Sequence, residues 1–199
     1  TGSDLQRTMA LGLVYTGDKN AAISLAEQLL ADKKLSADLR RDAFQILLLA
    51  EPEKKATQRA IAALNQSDIT QRKMALSYLV HGRGIFSMVR ESIYLNIRIE
   101  GISRSSGQPI IIKAPAGLKA EQVRPLLSDS DPAVAAQAGY LLAIMGHSEG
   151  LEPLLAYVRK KDRDGESWDQ LVVRAIATLD DSSHIDLLRT IYKIGRAHV

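Results

Sequence analysis

Apolar positions recur at spacings of three and four along most of the chain, the pattern of helices that each bury one face. The spacing predicts helices over 4–15 and 19–31, 37–50 and 52–65, 68–81 and 84–94, and a single helix over 119–128. Helices over 132–146 and 150–160, then 167–180 and 184–192, complete the set. Boundary chemistry agrees with the periodicity. Asp131-Pro132 reads as an N-cap followed by proline in the first turn, where the missing N–H costs nothing, and Glu51-Pro52 gives a similar start. Asp68 with Gln71, and Ser183 with Asp186, are spaced as capping boxes. Gly17, Gly82, Gly146 and Gly165 stand where helices should stop.

The helices repeat. An arginine, an alanine three residues on and an aliphatic residue four further on occur as Arg7-Ala10-Val14, Arg40-Ala43-Leu47 and Arg72-Ala75-Leu79, with the alanines 33 and 32 residues apart. Those offsets place the alanine and the aliphatic residue on one helical face, and a small residue there predicts close approach of a second helix. In the C-terminal half, Ala138, Leu142, Met145, Leu151 and Leu154 correspond to Val172, Ile176, Leu179, Ile185 and Leu188 at a shift of 34. A further echo, 123–127 against 151–155 at a shift of 28, marks equivalent second helices. Helix pairs of this size cannot bury their apolar faces alone and must stack on their neighbours. The expected fold is all-α, an α-solenoid of stacked antiparallel helix pairs.

Residues 129–146, with an acidic turn, Asp131-Pro132, Val134 and an alanine-rich helix ending at Gly146, resemble HEAT repeats, especially the HEAT-like repeats of phycobilisome lyases. The family's usual arginine after the valine is Ala135 here. The resemblance covers 119–192 well and 1–82 more loosely. It implies a superhelical scaffold and not an enzyme. Leu11-Gly12 with Tyr15 is also similar to a tetratricopeptide repeat, but the alanines that should follow are off register.

The helical period lapses over 95–118. Ile93, Leu95, Ile97 and Ile99 alternate with Tyr94, Asn96 and Arg98, residues 104–107 have turn chemistry, and Pro109 to Ile112 reads as a second extended piece. The expectation is an extended or β-hairpin insertion, closed by Pro115 and Gly117, between N-terminal repeats over 1–94 and C-terminal repeats over 119–192. Tyr94, Arg98 and Arg104 are of types favoured at interface hot spots and are the candidate partner contacts. The aliphatic residues beside them would equally fill a gap between the two halves.

Residues 193–199 read as a translation of AAG ATC GGA AGA GCA CAC GTC, which resembles a sequencing-library adapter apart from its first base. This stretch is therefore expected to be non-native. The chain opens on Thr1-Gly2-Ser3 and is expected to be a fragment of a longer protein. It carries 26 Lys and Arg against 23 Asp and Glu, a net of +3; without Lys193 and Arg196 the balance is 24 against 23, or +1. That near-neutrality argues against nucleic acid as a partner. The clusters Lys33-Lys34, Lys54-Lys55 and 159–161 each have acids close by and read as solvated faces. No apolar run approaches the ~18 residues of a membrane span.

Candidate chemistry is sparse. With no cysteine, disulfides, thiolate metal sites and cysteine nucleophiles are excluded. No two histidines stand four apart on a helix, so the usual zinc arrangement is missing. His184 lies among Asp181, Ser182, Ser183 and Asp186, but consecutive residues in a turn do not reach triad geometry, and helix capping accounts for them. His81 is expected to place a positive or polar group at a helix end, and His147 to be solvated. No cofactor or metal site is expected. The function expected is a non-catalytic scaffold that holds a protein or peptide on a concave face of second helices or on the insertion. The alternative is a repeat region attached to an enzyme, lyase-like or other, whose catalytic part lies outside 1–199.

Overall fold

The computed structural model describes residues 4–32, 34–82, 113–158 and 168–179. The fold is all-α: every regular element among the described residues is helical. The chain divides into two compact units, 1–111 and 112–199. The expected helices over 84–94 and 184–192, the strand-like part of the insertion and the tail 193–199 lie outside the described residues. Residues 113–118 form a turn, with Leu118 N–H donating to the Pro115 carbonyl at 3.1 Å and Gly117 at φ 88°. No helix among the described residues is long and apolar enough to cross a membrane.

The first unit contains α1 (Asp4–Gly17), α2 (Lys19–Ala31), α3 (Ala37–Ala50), α4 (Glu53–Ala63) and α5 (Ile69–His81). Gly17 is the last residue of α1, and a single residue joins it to α2. The Asp18 N–H still donates to Val14 O at 2.7 Å, while its carboxylate accepts from the Asn20 and Ala21 N–H groups and so caps the next helix. Ser36 and Asp68 cap α3 and α5 in the same manner. α3 is central, packing on α1 and α2 before it and on α4 and α5 after it. Leu11, Tyr15, Ala22, Ala26, Ala43, Ile46 and Leu47 form one core cluster from α1, α2 and α3. The alanines in it leave room for the close approach that the repeat spacing predicts.

The recurring triplet now has a physical account. Ala43, Leu47, Ala75 and Leu79 are fully buried, whereas Ala10, at the equivalent place on α1, is exposed beside Met9 (51%) and Leu13 (66%). The recurring arginine reaches back to the loop before its own helix. Arg40 Nη1 donates to Leu35 O at 2.7 Å, and Arg72 Nη1 donates to Gln66 O at 2.8 Å and to Ser67 O at 3.2 Å. Arg40 also lies 3.4 Å from the capping carboxylate of Asp68, tying one repeat to the next.

The second unit contains α6 (Ala120–Val123), a 3₁₀ turn (Arg124–Ser128), α7 (Pro132–Ile144), a 3₁₀ turn (Ser148–Gly150), α8 (Leu151–Val158) and α9 (Trp168–Leu179). The single helix expected over 119–128 tightens into 3₁₀ geometry at Pro125, which has no N–H to continue the α pattern. Asp131 caps α7 through the Ala133 N–H at 2.9 Å, with Pro132 in the first turn as expected. Gly146, at φ 88°, ends it: His147 N–H donates to Leu142 O, and Gly146 N–H to Ala143 O, each at 3.0 Å. α7 packs on both 3₁₀ turns, on α8 and on α9, and 136–144 are buried without a break.

Glycine at 139, inside α7, is costly for a helix unless something approaches closely. A Cβ there would collide with the carbonyl oxygen of Gly150, and a Cβ on Gly150 would collide with that of Gly139. The two backbones touch, and each glycine is required by the other. Gly139→Ala should therefore destabilise, since overpacking of roughly 1–3 kcal/mol outweighs a helix-propensity gain of at most ~1 kcal/mol. Chemical denaturation should show Gly139→Ala and Gly150→Ala together costing less than the sum of the two, because one displacement relieves both clashes.

Candidate functional site

A cleft of the first unit lies between α2 and α4. It measures about 530 Å³ and is lined by Leu30 and Ala31 of α2, Phe44 of α3, Lys55, Gln58, Arg59 and Ala62 of α4, Gln66 of the following loop and Gln71 of α5. The small residues Ala31 and Ala62 leave it open, and Leu30 and Phe44 supply apolar wall.

Its charged lining residues, Lys55 and Arg59, are held by Glu51, at the corner between α3 and α4. The Glu51-Pro52 expectation is corrected here: Pro52 occupies the cap position of α4 without a side-chain cap bond, and the Glu51 side chain is 0% exposed. Arg59 grips this carboxylate with two donors of one guanidinium edge, Nε to Oε2 at 2.8 Å and Nη2 to Oε1 at 2.6 Å. Lys55 Nζ lies 2.9 Å from Oε1, one helical turn from Glu51. Burial alone would raise the Glu51 carboxyl, but hydrogen bonds from Arg59 and Lys55 prevail and hold it below its usual range. The Arg59 guanidinium is held above its usual value, first by its hydrogen bonds to Glu51 and then by Glu27. Glu27 of α2 accepts from Arg59 Nη2 at 2.9 Å, so one guanidinium joins α2, α4 and the α3–α4 corner. Among the described residues, Arg59 Nη1 and the side-chain amides of Gln58, Gln66 and Gln71 have no hydrogen-bond partner.

The expectation that Lys54-Lys55 with Glu51 and Glu53 forms only a solvated face is therefore half wrong. Lys55 stays outside but is committed to an acid inside. The spacing of Glu51, Lys55 and Arg59 at four and eight residues did put them on one face, and that was the available signal. The sequence-based partner contacts Tyr94, Arg98 and Arg104 all lie outside the described residues.

His81 also departs from its expected role as a positive or polar group at a helix end. It is 6% exposed, neither ring nitrogen has a partner among the described residues, and burial lowers its pKa to about 4. Burial outweighs the helix-end field, so the ring is neutral near pH 7. His147, expected to be solvated, is half-buried, with Nδ1 3.4 Å from Arg124 Nη2; Arg124 also pairs with Glu121 and Glu149, an exposed network of little energetic weight. No cluster of three or more metal-ligating side chains occurs among the described residues.

Comparison with protein-family models, curated proteins and solved structures returns no match to the chain.

Proposed function

We propose that this chain is a HEAT-like solenoid scaffold that binds a protein segment, and that the cleft between α2 and α4 is where the segment lies. The observation that carries this reading is the cleft itself: an open trough between second helices, with apolar wall and with side-chain amides that have no partner among the described residues. Amides offer both a donor and an acceptor, as does a peptide backbone, and apolar wall suits the side chains between. The recurrence of the arginine and alanine at 32–33 residues, with α3 packed on the helices before and after it, supports the stacked-repeat architecture.

The test is selection of peptides from an unrestricted display library on the intact chain, followed by affinity measurement on an Ala62→Trp variant. Ala62 is exposed and lines the trough, so the indole fills it without entering the core. The selected peptides should bind the variant about ten-fold more weakly or worse, with its thermal melt unchanged. Undiminished affinity would remove the cleft from the function.

A further inference from the structure

We propose that the cleft selects a segment with an acidic side chain, whose carboxylate docks on Arg59 by displacing Glu27. This deepens the peptide-binding reading and rests on it. Arg59 has two carboxylate partners of very different kinds. Glu51 is completely buried and bonded through both oxygens, so it fixes the plane of the guanidinium and stays in place. Glu27 is 49% exposed and makes one bond from a neighbouring helix, a surface arm of the sort that contributes little. An incoming carboxylate at this wall finds Nη1 without a partner among the described residues and, on Nη2, the N–H that Glu27 now occupies, together the remaining edge of a guanidinium already oriented by the fold. Orienting it in advance removes much of the ordering cost of recognition.

Charge balance favours a carboxylate over a phosphate group. Lys55 and Arg59 offset Glu51 and Glu27, so the wall is neutral as it stands. A monoanion that takes the place of Glu27 on Arg59 leaves the fork neutralised, while Glu27, half in water already, is solvated at small cost. A dianion would bring a second charge with no cation to meet it. The neighbouring Leu30, Phe44 and Ala62 favour apolar residues beside the acid, and Gln58 and Gln71 can bond its backbone. Glu27 then acts as an internal competitor, which makes an unusual prediction: removing an acid by Glu27→Gln should strengthen binding of an acidic segment.

The probe is a fluorescent octapeptide of alternating leucine and glutamate, acetylated and amidated, with a glutamine counterpart in both amidated and free-acid forms. By anisotropy, the glutamate peptide should bind about ten-fold or more tightly than the amidated glutamine peptide. Glu27→Gln should tighten the glutamate peptide about two- to five-fold and leave the glutamine peptide unchanged. Arg59→Lys, which keeps a cation for Glu51, should abolish the preference; if its melt shows that it does not fold, the Glu27→Gln result on the native framework decides. Equal binding of glutamate and glutamine peptides, both lost in Ala62→Trp, overturns the carboxylate anchor while the peptide-binding reading stands. Binding of the free-acid glutamine peptide alone overturns the side-chain assignment in favour of a chain terminus. No binding of any probe overturns the acidic preference, and the unrestricted library then decides the wider reading independently.

Discussion

Glu51→Ala should cost the first unit about 3 kcal/mol in urea denaturation, as much as the loss of a large core side chain. Breaking a buried ion pair from one side generally costs ~3–5 kcal/mol, because the remaining charge keeps its desolvation without its partner. The lower end applies here, since the Arg59 side chain is one quarter exposed and retains Glu27. The loss belongs to the unpaired charge more than to the pair, so Glu51→Leu combined with Arg59→Met should recover most of it. A double variant as unstable as Glu51→Ala would show that the corner needs the pair itself. Titration gives a second handle. Because the Glu51 pKa is lower in the folded state than its ordinary 4.5, its stabilisation is complete above that value and lost as pH falls through the folded pKa. Glu51 therefore contributes to acid unfolding only below its ordinary value.

His81 acts in a different window. Its folded pKa is about 4 against an ordinary 6.5, so the unfolded chain binds the proton more readily. Stability is complete above pH 6.5 and falls with acidification until the folded ring protonates near pH 4. At about 1.4 kcal/mol per pKa unit, the full loss is roughly 3–4 kcal/mol. His81→Leu should be neutral or slightly stabilising at pH 7, because two buried ring nitrogens with no partner among the described residues are replaced by carbon. The variant should also be nearly insensitive to pH between 7 and 5, where carboxylates remain ionised. Parallel pH–stability curves for the two proteins over that range would show that His81 titrates normally and that its burial is not maintained.

Both residues show where sequence reading stops. Helix positions were legible because period, caps and glycine stops are local: the helices starting at 19 and 37, and the Pro132 start and Gly146 stop of α7, follow from residues within four positions of each boundary. The 32–33 residue repeat was legible because it is a pattern of residue types. Burial of Glu51 and His81 was not, because it depends on which helix covers a helix end, and the local sequence at each place is ordinary for a capped, solvated terminus. The cleft was illegible for the same reason. Its wall comes from residues between 30 and 71, and only the depth left between α2 and α4 makes them a site.

The unbroken burial of 136–144 bears on how the second unit comes into being. A helix with one polar face can form early and wait in water for its partner, but α7 has no face to show to water beyond its first turn and its C-terminal glycine. While a ribosome is still making α8 and α9, residues 132–144 are an adhesive, alanine- and leucine-rich segment with no shelter of their own. The interval before α8 and α9 cover it is when the nascent chain most needs protection from its neighbours.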